Sequence, residues 1–213
     1  MKTDELVTML AAGAGPVEPG ATARRYATAL GWGAFGAMLL MAIVLGVRPD
    51  LAEAARLPMF WIKLAFPACL AAGALYASAR LSRPGVQLGR VSAALAAPVL
   101  ALWLLAAFVL ATAAGGEREE LIFGGTWDAC PLFVALLSLP VFVAAMWAMK
   151  GLAPTRFALA GAAAGLLAGA VGALIYSLHC PEMEAPFLAI WYLLGMLIPT
   201  AVGAVIGPRL LRW

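Results

Sequence analysis

Long apolar runs alternate along this chain with short segments that carry nearly all of its charge. The run at 26–47, YATALGWGAFGAMLLMAIVLGV, has no charged residue. The run at 58–79 holds only Lys63, close enough to its start for the ammonium to snorkel toward the interface. Runs at 91–114, 130–149, 157–178 and 187–207 complete the set. About 20 apolar residues in a helix match the hydrocarbon thickness of a bilayer. Lipid offers the backbone no hydrogen bonds, so such segments must satisfy themselves as helices. None of the runs alternates as barrel strands do. The pattern predicts an all-α polytopic membrane protein, a six-transmembrane-helix bundle with short loops over 26–207. A segment at 1–25 precedes it and a tail at 208–213 follows.

Composition agrees. Of 213 residues 64% are hydrophobic and 12% charged, whereas a soluble domain carries about a quarter charged residues. Asp4 and Glu5 stand where a signal peptide would be basic, so residues 1–25 are not read as one.

Charge then orients the bundle. Lys2, Arg24, Arg25, Arg80, Arg83, Arg90, Lys150, Arg156, Arg209 and Arg212 fall on one side of the predicted spans. Only Arg48, Arg56, Lys63 and Arg118 fall on the other. Basic loops stay cytoplasmic, so both termini are expected inside a bacterial inner membrane. The loops 48–57, 115–129 and 179–186 then face an oxidising exterior.

That orientation gives two thiols an address. Cys130, in TWDACPLF, opens the fourth span, and Cys180, in SLHCPEMEAPF, follows the fifth. The two helices are joined inside by the short turn KGLAPTR and measure about 30 and 33 Å at 1.5 Å per residue. Their outer ends, and hence the thiols, are expected side by side. Pro131 places Cys130 at a helix start, where free amides and the helix dipole favour a thiolate. Cys130 is therefore read as the more reactive thiol and Cys180 as its resolving partner. His179, Asp128, Glu182 and Glu184 lie close in sequence and could tune the pair or add ligands for a thiophilic metal ion, although the spacing matches no metal motif. A plain stapling disulfide is the structural alternative. Cys69, in the second span beside Pro67, is read as packing.

Other features describe packing and a partner surface. Gly161, Gly165 and Gly169 form a small-residue stripe suited to close helix contact inside the bundle or, alternatively, between copies. Pro67, Pro98, Pro140 and Pro199 interrupt four spans, and Trp61, Trp127, Trp191 and Tyr192 fall near span ends as interfacial residues do. At the amino terminus Thr3 can cap a short helix whose Leu6, Val7 and Leu10 share one face, with Met9 beside them. Gly13, Gly15, Pro16 and Pro19 would end it and form a tether. Such a helix is marginal alone, so it is expected to dock on its own bundle or in a partner's groove.

No acidic residue, arginine or histidine lies deep in a span, and no CxxC, nucleotide loop or zinc-protease motif is present. Enzymatic chemistry is thereby disfavoured, and so is coupled transport. A metal-ion efflux component and a structural membrane subunit remain as alternatives.

The opening MKTDELVTML, the six spans, the outward WDACP and HCPEMEAPFLAIWY together resemble the NrsF-type membrane anti-sigma factors. The resemblance implies a six-helix inner-membrane protein that sequesters an extracytoplasmic-function sigma factor, with no cofactor, no catalysis and no direct contact with nucleic acid. It also implies that Cys130 and Cys180 sense oxidative or heavy-metal stress.

Overall fold

The computed structural model describes residues 2–13, 20–85 and 88–212. Among these there is helix and no strand. The expected tether residues Gly15, Pro16 and Pro19 lie outside the described residues.

Helix α1 runs from Thr3 to Gly13. Thr3 is already helical, so Lys2 takes the preceding position, and its N–H donates to the Glu5 carboxylate at 3.1 Å. This is the reach-back half of a capping box. Residues 2–12 are all exposed. Leu10 is 67% exposed and Met9 60%, so the helix does not dock on its own bundle.

Six helices are long and apolar enough to cross a membrane, as the sequence predicts. They are α2 (Ala21–Val44), α4 (Pro58–Leu81), α5 (Val91–Thr112), α7 (Cys130–Lys150), α8 (Phe157–Tyr176), and a last one that starts as α9 (Ala185–Phe187), passes through a π-helical turn (Leu188–Tyr192) and continues as α10 (Leu193–Leu210). Two short helices, α3 (Leu51–Ala54) and α6 (Arg118–Phe123), sit in the loops at the end that carries the thiols.

Helix α8 is the centre of the bundle, with α10, α7 and α4 packed around it. Its composition allows this. The stripe of Gly161, Gly165 and Gly169 lets α10 approach until Gly161 meets the Gly203 carbonyl and Gly165 the Pro199 carbonyl, with no room for a Cβ at either glycine. Gly172 faces α7, where an added Cβ would lie 2.9 Å from the Val134 carbonyl oxygen. The small-residue stripe is thus occupied inside one molecule and is not available to a second copy. Pro140 serves a similar contact: Gly33 and Gly36 of α2 rest against it on α7.

Helix α2 buries a single stripe, Tyr26, Ala29, Gly33, Ala37 and Met41, against α7. Both of its ends are fastened. At the end near the chain termini, Arg25 donates to the carbonyls of Ala148 (2.8 Å) and Trp147 (3.1 Å) at the end of α7. Its guanidinium also lies 4.4 Å from the centre of the Trp147 ring. The Tyr26 and Ser82 hydroxyls share a buried 2.9 Å hydrogen bond that ties α2 to the end of α4. At the other end Gly46, with φ +74°, turns the chain as only glycine does readily.

Candidate sensing site

The thiol end is built by a turn. After α8 the Tyr176 carbonyl accepts the N–H groups of both His179 and Cys180, each at 2.9 Å. This swings residues 177–184, the thiol loop, back over the bundle. Cys130 begins α7, and its N–H donates to Thr126 O at 2.9 Å. Both cysteines are free. Tyr176 shares one buried cluster with both cysteines, and the Tyr192 ring packs at a tilt with its centre 5.8 Å from that of Tyr176. The α7–α8 hairpin therefore brings the two thiols against one tyrosine wall.

Two expectations need correction here. Neither thiol opens to solvent: Cys130 and Cys180 are each 0% exposed. The helix start does not make Cys130 an accessible nucleophile, because Val134, Leu137 and Tyr176 belong to the same buried cluster. Tyr192 likewise is no interfacial anchor. It is fully buried, with its hydroxyl unpaired by geometry and Ser177 and Cys180 among its neighbours.

Lys63 departs furthest from expectation. Rather than snorkelling outward, its side chain is 0% exposed. The ammonium donates to the Cys180 carbonyl at 2.6 Å and the Glu182 carbonyl at 2.7 Å, and lies 5.5 Å from the centre of the Tyr192 ring. Two carbonyls on either side of Pro181 replace the water that a headgroup region would have supplied. A buried ammonium persists only with such partners.

A second cation reaches the same carbonyl. Arg48, just after α2, donates from Nη1 to Cys180 O at 3.2 Å, and its own N–H donates to Leu178 O at 3.1 Å. Asp50 fixes the guanidinium through bonds of 2.8 and 2.6 Å. The hydrogen-bonded Arg48 guanidinium in turn holds the Asp50 carboxyl below the usual carboxylate range.

The other polar residues go elsewhere. His179 Nδ1 pairs with Gly46 O at 2.9 Å. Glu182 Oε1 accepts the Gly125 N–H at 2.8 Å and the Thr126 hydroxyl at 3.3 Å, latching the α6–α7 loop to the thiol loop. Asp128 is exposed, and its Oδ1 accepts the Ala129 N–H at 2.9 Å. Thus His179, Asp128 and Glu182 do not converge on the thiols. Among the described residues no group of three or more His, Cys, Asp and Glu side chains is arranged to hold a metal ion. Cys69 faces outward from the bundle beside Pro98 and Ala101 instead of packing in the core.

Sequence reasoning missed Lys63, Arg48 and Tyr176 as parts of this site. The signal available for Lys63 was a lone cation in an otherwise apolar span, which also fits a snorkelling residue. Tyr176 gave none beyond its place about one turn before a loop cysteine.

Comparison with known proteins bears on this site as a whole. The profile of the family described as NrsF, negative regulator of sigma F, matches residues 10–213. The chain is 61% identical over its full length, and that of the relative, to a probable anti-sigma-F factor NrsF of Azospira oryzae (strain ATCC BAA-33 / DSM 13638 / PS). It is 40% identical, again over the whole of both chains, to the anti-sigma-F factor NrsF of Caulobacter vibrioides (strain NA1000 / CB15N). No solved structure matches it. With six apolar helices and a match across nearly its entire length, the chain belongs to the NrsF family of regulatory proteins, which are not enzymes.

Proposed function

We propose that this protein is an integral inner-membrane anti-sigma factor that holds an extracytoplasmic-function sigma factor at the cytoplasmic face and releases it when Cys130 and Cys180 are oxidised. The relatives' names support the sigma-factor partner. The excess of basic residues in the segments between α4 and α5, between α7 and α8, and at both termini supports a cytoplasmic position for the termini. Helix α1 then presents Leu6, Val7 and Leu10 to the cytoplasm, an amphipathic helix suited to a groove on the sigma factor.

The observation that carries the switch is that both thiols are buried in one cluster with Tyr176, at the end of the α7–α8 hairpin away from the start of α2. Forming the Cys130–Cys180 bond removes two electrons and two protons from the thiols. Hydrogen peroxide accepts both and is reduced to two waters. Because the sulfurs belong to α7 and to the loop after α8, the new bond must shift one against the other.

The test is a Cys130→Ser, Cys180→Ser double variant carried with a sigma-dependent reporter. Loss of peroxide induction with normal repression is expected, and full induction would reject the thiol switch. Deleting residues 1–20 is expected to abolish co-purification of the sigma factor, and unchanged binding would reject α1 as its contact.

A further inference from the structure

The proposed switch lies at one end of the bundle and the sigma contact at the other, and the two belong to different parts of the chain. Three ties bridge that gap at the thiol end. The Arg48 guanidinium holds Cys180 O, the Arg48 N–H is bonded to Leu178 O, and His179 Nδ1 pairs with Gly46 O. All three join the thiol loop to Gly46 and Arg48, in the short segment that directly follows the end of a single element, α2, at Val44. At the far end Arg25 and Tyr26 fasten the same helix to α7 and α4, five residues or fewer from where α2 begins. Between its ends α2 meets α7 at Gly33, where an added Cβ would lie 2.8 Å from the Val141 Cα.

We infer that α2 is the element that carries the state of the thiol loop to the cytoplasmic face, and that Arg48 is the positioning residue that couples the two. The inference rests on the thiol-switch reading above. A helix is stiff along its axis, because its hydrogen-bond ladder runs that way, so displacing its outer end displaces its inner end. Cys180 contributes a sulfur to the switch and a carbonyl to the Arg48 clamp, so re-seating the sulfur moves the atom that Arg48 grips. Lys63 grips the same carbonyl from α4, which gives that helix a parallel pull. Only α2, however, leads in the chain directly to α1. Coupling requires an element whose two arrangements are biased by both sites, and re-seating of the Arg48 clamp on oxidation is the event that would supply the second arrangement of α2.

The test uses the full chain in membranes with its co-expressed sigma factor and hydrogen peroxide as oxidant. Two quantities are read: the fraction of Cys130–Cys180 disulfide, by mass shift on alkylation, and the sigma factor retained on membranes. In Arg48→Ala, disulfide formation at saturating peroxide is expected to reach the wild-type extent and no more slowly than in wild type, with sigma release per disulfide weakened at least about fivefold, the lower range of allosteric coupling. Arg48→Lys, which can still reach the carbonyl, is expected to restore release. Wild-type release from oxidised Arg48→Ala would overturn the inference. A second variant works at the waist of the helix: Gly33→Ala should lift α2 from α7 and lower sigma retention without oxidant, leaving disulfide formation unchanged. If Arg48→Ala does not accumulate, Gly33→Ala decides, and unchanged retention there would overturn the inference. A wild-type protein that forms no disulfide with peroxide, or keeps its sigma factor when it does, defeats the thiol switch itself before the variants are compared.

Discussion

The Lys63 ammonium reaches the Cys180 carbonyl oxygen at 2.6 Å, joining an apolar helix to the loop that carries a thiol 117 residues away. It also holds Glu182 O at 2.7 Å, so one side chain secures both sides of Pro181. Lys63→Met removes both bonds. A hydrogen bond to a charged group contributes about 1.5–3 kcal/mol, so losing both should make loop opening at least about a hundredfold more frequent. Maleimide labelling of Cys180 in folded protein is expected to accelerate by that factor; an unchanged rate would show that the loop is held by other contacts.

Glu182 performs the complementary task on the neighbouring loop. Its carboxylate accepts from Gly125 and Thr126, and Gly124, at φ +53°, passes so close that a Cβ there would lie 2.6 Å from Glu182 Oε2. Glu182→Ala should raise amide hydrogen exchange across residues 124–129. Glu182→Gln keeps an acceptor and should leave most of the protection in place.

The α8–α10 contact has no slack. A Cβ at Gly165 would run into the Pro199 carbonyl, and backbone cannot yield as a flexible side chain can. Gly165→Leu is expected to destabilise the bundle by about 3 kcal/mol or more, read as lost accumulation in membranes and lower thermal stability in detergent. Gly31→Leu is the control, because nothing lies within 4 Å of a Cβ placed there.

Helix α1 makes a prediction independent of the thiols. Leu6→Asp with Leu10→Asp should abolish sigma co-purification without changing membrane insertion, since both side chains are exposed. Retained binding would move the partner surface to the inner loops.

The Arg48–Asp50 pair gives a pH signature. The folded Asp50 carboxyl lies below its unfolded value because of Arg48. Its contribution is therefore complete above the ordinary carboxylate range, near pH 4, and fades as pH falls through the lowered folded value. The melting-temperature difference between wild type and Asp50→Asn should stay constant from pH 8 to pH 5 and shrink only below about pH 4. A midpoint near neutrality would contradict the pairing.

Much of the architecture was legible because lipid imposes length and apolarity on each span, and those are properties of composition. The predicted starts at 58, 91, 130 and 157 coincide with helix starts in the structure. Helix α2 begins earlier than predicted, at Ala21, because Arg24 and Arg25 continue it as ordinary helix beyond its apolar run. The π-helical turn at Leu188–Tyr192 has no sequence signature, as LAIWY reads like any apolar segment. The site was half legible. A helical hairpin with a short turn forces Cys130 and Cys180 to one end, so spacing was enough to find them. What surrounds them comes from α4 and from the loop after α2, whose approach depends on tertiary packing. Lys63 and Tyr192 were therefore assigned to the interface by depth alone, and Arg48 to an outward loop by its charge and place in the chain. His179, Asp128 and Glu182 are neighbours of the thiols in sequence, yet the turn after α8 directs each of them to a different backbone group.

Burial of the two sulfurs also sets a clock. An oxidant cannot meet a thiol that is 0% exposed until the loop lifts, so the rate of reaction is the chemical rate multiplied by the small fraction of time spent open. A brief pulse of oxidant passes before most molecules have opened, whereas sustained exposure finds each one in turn. Closure would thus make the protein an integrator of stress over time, its averaging window lengthened by Lys63, Arg48 and Glu182 beyond what the reactivity of sulfur alone would set.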